Sequence, residues 1–183
     1  TLTSYAPGVL YSGSQIVDLD NDGSNELIIG QRDWRAAGKV EIWKYAPSSG
    51  TVVRQTTIAL PREPHDLKAA DFDGDGLKEI VVAGRGWGPY YINQTASGWS
   101  PATALAPQAY SWQIEVADFD NDGAIDFFQG VDGSTTGRLF YGNGSGGFTM
   151  VALPAGLNRG LGFTAIDVND DGRLDLIGMQ DVG

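Results

Sequence analysis

The chain of 183 residues has no cysteine, one histidine (His65), two methionines and no apolar run long enough to cross a membrane. Each shortage removes a class of explanation. Without cysteine, no disulfide holds the fold and no thiolate carries redox chemistry or binds zinc. One histidine cannot build a metal centre that needs several imidazole ligands. A helical membrane span requires about 20 consecutive apolar residues, so none is expected. Basic residues are also scarce, with 12 Lys and Arg against 23 Asp and Glu and a net charge of −11. No basic stripe exists to neutralise phosphates, so nucleic acid is not an expected partner. Serine-nucleophile and phosphate-cradling motifs are absent too, which leaves no catalytic signature to follow.

Glycine, by contrast, is abundant at 26 residues, which favours short strands joined by tight turns. The acidic residues are not spread out. A nine-residue pattern occurs four times: Asp18-Leu19-Asp20-Asn21-Asp22-Gly23-Ser24-Asn25-Glu26, Asp71-Phe72-Asp73-Gly74-Asp75-Gly76-Leu77-Lys78-Glu79, Asp118-Phe119-Asp120-Asn121-Asp122-Gly123-Ala124-Ile125-Asp126 and Asp167-Val168-Asn169-Asp170-Asp171-Gly172-Arg173-Leu174-Asp175. These loops hold 15 of the 23 acids at places 1, 3, 5 and 9, with glycine always at place 6. Like charges this close repel unless a cation sits among them. Ca²⁺ suits the set, because it takes six to eight hard oxygens at roughly 2.3–2.6 Å. The expected ligands are the side chains at places 1, 3, 5 and 9 and the carbonyl at place 7, for up to four ions. They are Asp18, Asp20, Asp22, Ser24 and Glu26; Asp71, Asp73, Asp75, Leu77 and Glu79; Asp118, Asp120, Asp122, Ala124 and Asp126; and Asp167, Asn169, Asp171, Arg173 and Asp175. Four divalent ions would bring the net charge to about −3. An EF-hand or dockerin loop needs an acid at place 12, where this chain has Ile29, Val82, Gln129 and Gly178, so both are excluded.

The loops recur at intervals of 53, 47 and 49 residues, a period that suggests four-stranded propeller blades. Strand A leads into each loop and strand B leaves it, as Ser14–Val17 and Leu27–Ile29 do in the first repeat. Strands C and D follow as Lys39–Tyr45 and Thr51–Leu60. The second repeat reads Asp66–Ala70, Ile80–Val82, Tyr90–Asn93 and Ala102–Leu105. The third reads Gln113–Ala117, Phe127–Gln129, Arg138–Tyr141 and Phe148–Leu153, and the fourth Phe163–Ile166 and Leu176–Ile177. The phrase Ser4-Tyr5-Ala6-Pro7 echoes the proline-ended segments before the later loops, so residues 1–7 read as the outer strand of a preceding blade. Residues 8–61, 62–107 and 108–154 then form three blades, and residues 155–183 half of a fourth. Closing this set on itself would join strands B and D in parallel and break the antiparallel order. The expectation is an all-β propeller portion of about 3.75 blades within a larger ring, for example a seven-bladed one.

The motif Val17-Asp18-Leu19-Asp20-Asn21-Asp22-Gly23, continued by Glu26-Leu27-Ile28-Ile29-Gly30, resembles FG-GAP repeats, and the resemblance covers almost the whole chain. Such repeats build the Ca²⁺-binding propeller of integrin α chains and of many exported bacterial proteins, where they are called VCBS. Integrins read Gly-Ala-Pro after strand B. This chain has Gly30-Gln31-Arg32, Gly84-Arg85-Gly86 and Gly130-Val131-Asp132, and is thus more similar to the bacterial type.

In such blades the ion loops occupy one face, and the B–C and D–A turns the other. Those second-face turns carry Arg32, Trp34, Arg85, Trp87 and Trp112, with Arg62, His65, Tyr110 and Arg159 nearby. Aromatic and arginine side chains of this kind suit a protein or glycan ligand. The sequence therefore predicts a secreted or cell-surface recognition or adhesion module with structural Ca²⁺, whose partners are such a ligand or the rest of a larger propeller. It is not expected to be an enzyme. The alternatives are a scaffold portion of a polysaccharide-active enzyme such as a lyase, which the resemblance allows, or a spacer in a surface protein or filament.

Overall fold

The runs after each acidic loop, such as Leu27-Ile28-Ile29 and Ile80-Val81-Val82, are too continuous for strands with one wet face. They call for burial on both sides. A computed structural model supplies it, describing residues 10–32, 37–84, 86, 88–107, 109–132, 136–154 and 160–180. The described residues are all β, without a helix. The first sheet contains β1 (Leu10–Val17), β2 (Glu26–Arg32), β3 (Lys39–Ala46) and β4 (Thr51–Ala59), in that order. β5 (Pro64–Ala70), β6 (Glu79–Gly84) and β7 (Tyr90–Ile92) begin the second. A short hairpin of β8 (Gln94–Thr95) and β9 (Gly98–Trp99) intervenes before β10 (Thr103–Ala104) completes it beside β7. The third sheet runs β11 (Tyr110–Ala117), β12 (Asp126–Asp132), β13 (Arg138–Gly142) and β14 (Phe148–Ala152); β15 (Gly160–Ile166) pairs with β16 (Asp175–Gln180). All pairs are antiparallel.

The sheets repeat one packing step. β5 packs on β1 and β2, β11 on β5 and β6, and β15 on β11 and β12. Each inner strand thus lies against the inner pair of the sheet before it, the arrangement of propeller blades. Side chains reinforce the step. Ala69 N donates to Gln15 Oε1 at 2.8 Å, and Ile114 N to Asp66 Oδ2 at 3.0 Å. The Gln113 amide imitates a strand, accepting from Phe163 N at 2.6 Å and donating to Phe163 O at 2.7 Å.

Alternation along the second strand explains the two-sided burial. Place 10 faces the preceding sheet and place 11 the following one, because neighbouring residues of a strand point to opposite faces. Ile80 joins the apolar layer between the first two sheets, while Val81 joins the layer between the second and third. Ile28, Val81 and Phe128 at place 11 are all fully buried. Ile177, at the same place of the fourth repeat, is 47% exposed, with no sheet beyond it among the described residues.

Two features differ from the sequence expectation. The inner strands begin two to four residues earlier than predicted, because each carries a bulge that breaks the alternation: between Ser12 and Ser14, Pro64 and Asp66, Ser111 and Gln113, and Gly160 and Gly162. At the first, Gly13 has φ +66° and a Cβ there would meet Asp66 Cα at 2.7 Å, so only glycine fits. The β8–β9 hairpin was also not foreseen. The expected outer strand at residues 1–7 lies outside the described residues.

Gln129, at place 12 of the third repeat, is fully buried, and neither its Oε1 nor its Nε2 has a partner among the described residues. The first two repeats have Ile29 and Val82 there. Gln129→Leu should therefore stabilise the fold by about 1–3 kcal/mol, the cost of stranding such groups. Denaturant unfolding of the two proteins measures this, and an unchanged or lower midpoint would contradict it.

Candidate metal centres in the repeated loops

Each acidic loop joins the first two strands of a sheet, and its own carboxylates fold it. The acid at place 1 accepts N–H bonds from the fifth and sixth residues: Asp22 and Gly23 bond Asp18 at 3.2 and 2.9 Å, Asp122 and Gly123 bond Asp118 at 3.1 and 2.9 Å, and Asp171 and Gly172 bond Asp167 at 3.1 and 2.7 Å. In the second loop Gly74 and Gly76 bond Asp71 at 2.7 and 3.0 Å. Place 5 accepts from the place-7 amide in all four, at 2.8 Å from Ser24, Leu77 and Ala124 and 2.9 Å from Arg173. This anchors the place-7 peptide beside the acids.

The backbone turns left-handed twice. Gly23, Gly76, Gly123 and Gly172 have φ between 83° and 91°, as the glycine at place 6 implied. Place 4 is also left-handed, with Asn21 at 54°, Asn121 at 60°, Asp170 at 57° and Gly74 at 78°. The sequence reading passed over place 4. Its signal was present, since Asn, Asp and Gly are the residues that tolerate this region.

The closing acid performs a second task. One oxygen accepts the N–H of place 2, from Leu19 to Glu26 at 2.9 Å, Phe72 to Glu79 at 2.8 Å, Phe119 to Asp126 at 2.8 Å and Val168 to Asp175 at 3.1 Å. The other oxygen differs between repeats. Glu26 Oε1 lies 2.7 Å from Lys44 Nζ, and Asp126 Oδ1 accepts from Gly142 N at 2.7 Å. Glu79 Oε1 is buried and has no partner among the described residues. Burial, reinforced by the charges of Asp73 and Asp71, pushes the Glu79 carboxyl up to about 7. Burial also raises Asp126.

Three acid groups bring one oxygen per residue within 4.8 Å of each other: Asp18, Asp20 and Asp22; Asp71, Asp73 and Glu79; and Asp118, Asp120 and Asp122. Such a set is all hard oxygen and could hold a metal ion. The fourth loop repeats the frame with Asn169 in place of an acid.

A family model described as an FG-GAP-like repeat matches the chain three times, over residues 18–82, 71–129 and 118–178. The chain belongs to the FG-GAP-like repeat family. Each FG-GAP-like match opens on place 1 of one loop and ends at place 12 after the next. The family unit is therefore a loop-to-loop segment that straddles two sheets. No curated protein sequence matches the chain.

Of the residues proposed for a ligand face, Arg32 ends β2 and Trp112 lies near the start of β11, both away from the acidic loops. Arg32 Nη2 pairs with Glu63 Oε2 at 3.1 Å, both half-buried. Trp112 stacks on His65 at 4.2 Å between ring centres, with Tyr110 5.3 Å from Trp112. His65 is buried, and its Nδ1 lies 2.8 Å from the Ser111 carbonyl. Trp34, Arg85, Trp87 and Arg159 lie outside the described residues.

The Glu79 shift gives metal-free protein a pH signature. Unfolded, the carboxyl titrates near 4.5; folded, it titrates near 7. Between those values the folded state holds the extra proton, so stability falls as pH rises through the window and levels off above it. Denaturant titrations of chelator-treated protein across that range should show the decline, and Glu79→Gln should remove this contribution. A rise in stability from Glu79 over the same window would contradict the assignment.

Proposed function

We propose that this chain is a Ca²⁺-stabilised propeller module working outside the cell in recognition or adhesion. The observation that carries the ion reading is Glu79: a fully buried carboxyl with a partnerless oxygen, aimed among Asp71 and Asp73. A buried acid in that state costs free energy unless a proton or a cation meets it. Ca²⁺ fits the donor set because every available group is a hard oxygen. When bound, it supplies the positive charge that lets neighbouring carboxylates stay ionised together. Asp71, Asp73, Asp75 and Glu79, with the Leu77 carbonyl, would hold it in the second loop, and the equivalent residues elsewhere. Such sites are filled by the millimolar Ca²⁺ found outside cells, which supports an exported location. The ions serve structure, since each loop ties strands of one sheet together.

Recognition of a protein or glycan falls to the opposite end, where the half-buried Trp112 and Tyr110, backed by the buried His65, offer aromatic surface. The exposed Ile177 and Ile16 on the outermost faces support a place within a larger propeller. The module is read as non-catalytic because its sequence carries no serine-nucleophile or phosphate-cradling motif and a single histidine.

Chelation tests the ion reading. At free Ca²⁺ a hundredfold above Kd, each site adds about 2.7 kcal/mol. EDTA should lower Tm and speed proteolysis, and added Ca²⁺ should restore both. If neither responds, the reading fails.

A further inference from the structure

The first two loops lie side by side and are compensated in opposite ways. Loop 1 (residues 18–26) receives two ammonium groups. Lys44, opposite Glu26 in the β2–β3 register, places Nζ 2.6 Å from Asp22 Oδ2, 2.7 Å from Glu26 Oε1 and 3.5 Å from Asp20 Oδ2. Lys78 comes from place 8 of loop 2 (residues 71–79) but turns away from its own acids. Its Nζ donates to the Asp18 carbonyl at 2.8 Å and to Asn21 Oδ1 at 3.1 Å, while its backbone N donates to Leu19 O at 2.9 Å. The Asn21 amide reaches back to the Gly76 carbonyl.

Loop 2 thus gives up its only lysine and receives none. No Lys or Arg pairs with Asp71, Asp73, Asp75 or Glu79 among the described residues. The β2–β3 register sets Lys44 against Glu26, whereas β7, paired with β6 through Tyr90–Ile92, contains no lysine or arginine. Glu79, fully buried with its Oε1 partnerless, brings a carboxylate oxygen within 4.8 Å of one oxygen each of Asp71 and Asp73.

We propose that loop 1 carries its own cation, the Lys44 ammonium, in place of a tightly held metal ion, whereas loop 2 requires Ca²⁺ to be complete. The inference rests on the Ca²⁺ reading of the loops and assigns unequal roles within it. An ammonium tethered on the neighbouring strand neutralises Asp22 and Glu26 with no loss of free translation, and it repels an incoming divalent ion. Ca²⁺ at loop 1 must displace Lys44 from both acids before gaining its ligands. At loop 2 it meets only acids and relieves the buried one. Ca²⁺ therefore fills loop 2 first.

Calorimetric Ca²⁺ titration of the metal-stripped chain tests this, comparing wild type with Lys44→Met. The variant should add one site or tighten the weakest class by about tenfold, since the repelling charge is gone. Unchanged stoichiometry and affinities would overturn the proposal while leaving Ca²⁺ binding intact. Absence of Ca²⁺ binding in both proteins would overturn it together with the ion reading. A second measurement needs no variant. In wild-type amide NMR spectra, the Gly76 resonance should move at lower Ca²⁺ than that of Gly23. The reverse order, or simultaneous movement, would overturn the proposal.

Discussion

A carboxyl group buried at the head of the second strand is the constraint on which the loop, the strand and the blade interface all depend. Glu26, Glu79 and Asp126 are between 0 and 4% exposed, which is costly for an acid unless it is bonded. Each uses one oxygen to hold the place-2 N–H. That bond fixes the position of Leu19 or Phe72, whose side chains are themselves buried. The acid therefore links the polar loop to the apolar layer between blades. Removing it would free both the turn and a core side chain.

The layer between the second and third blades shows how close this link is. Phe72, from place 2 of an acidic loop, lies 5.5 Å from Phe148 and 6.3 Å from Phe127, both from the next sheet. Phe127 in turn stacks on Phe140 at 4.4 Å. Edge-to-face and offset contacts of this kind add to area burial and fix ring orientations. The loop that gathers the acids is thus seated by aromatic packing, and the packing is indexed by the loop. Order in one implies order in the other.

What the sequence made legible is what depends on near neighbours along the chain. The four loops, their glycine at place 6 and the strands entering and leaving them follow from patterns of a few residues. The continuous runs at places 10 and 11 read correctly as strands because burial on both faces leaves no polar alternation. What stayed hidden depends on register or on another blade. The inner-strand bulges shift the alternation at Gly13, His65 and Trp112 without a compositional signal. Lys44 is 18 residues beyond the glutamate it meets, and only the β2–β3 register brings them together. Lys78 looks like part of its own loop, yet it serves the loop before it. The β8–β9 hairpin is too short for any periodicity to show.

Four copies of one pattern are consequently not four copies of one site. The local pattern sets a frame: the left-handed places 4 and 6, the N–H bonds to the first and fifth acids, and the bond from the closing acid to place 2. All four loops share it, and it is built without help from distant residues. The remaining oxygen of the closing acid is governed by whatever the third strand places opposite. In the first blade that is an ammonium, in the second nothing among the described residues answers it, and in the third the backbone N–H of Gly142 does. Frame and charge compensation are encoded in different parts of the repeat, so they can vary independently. The chain thereby keeps its turn geometry fixed while the group that meets the closing acid changes from blade to blade.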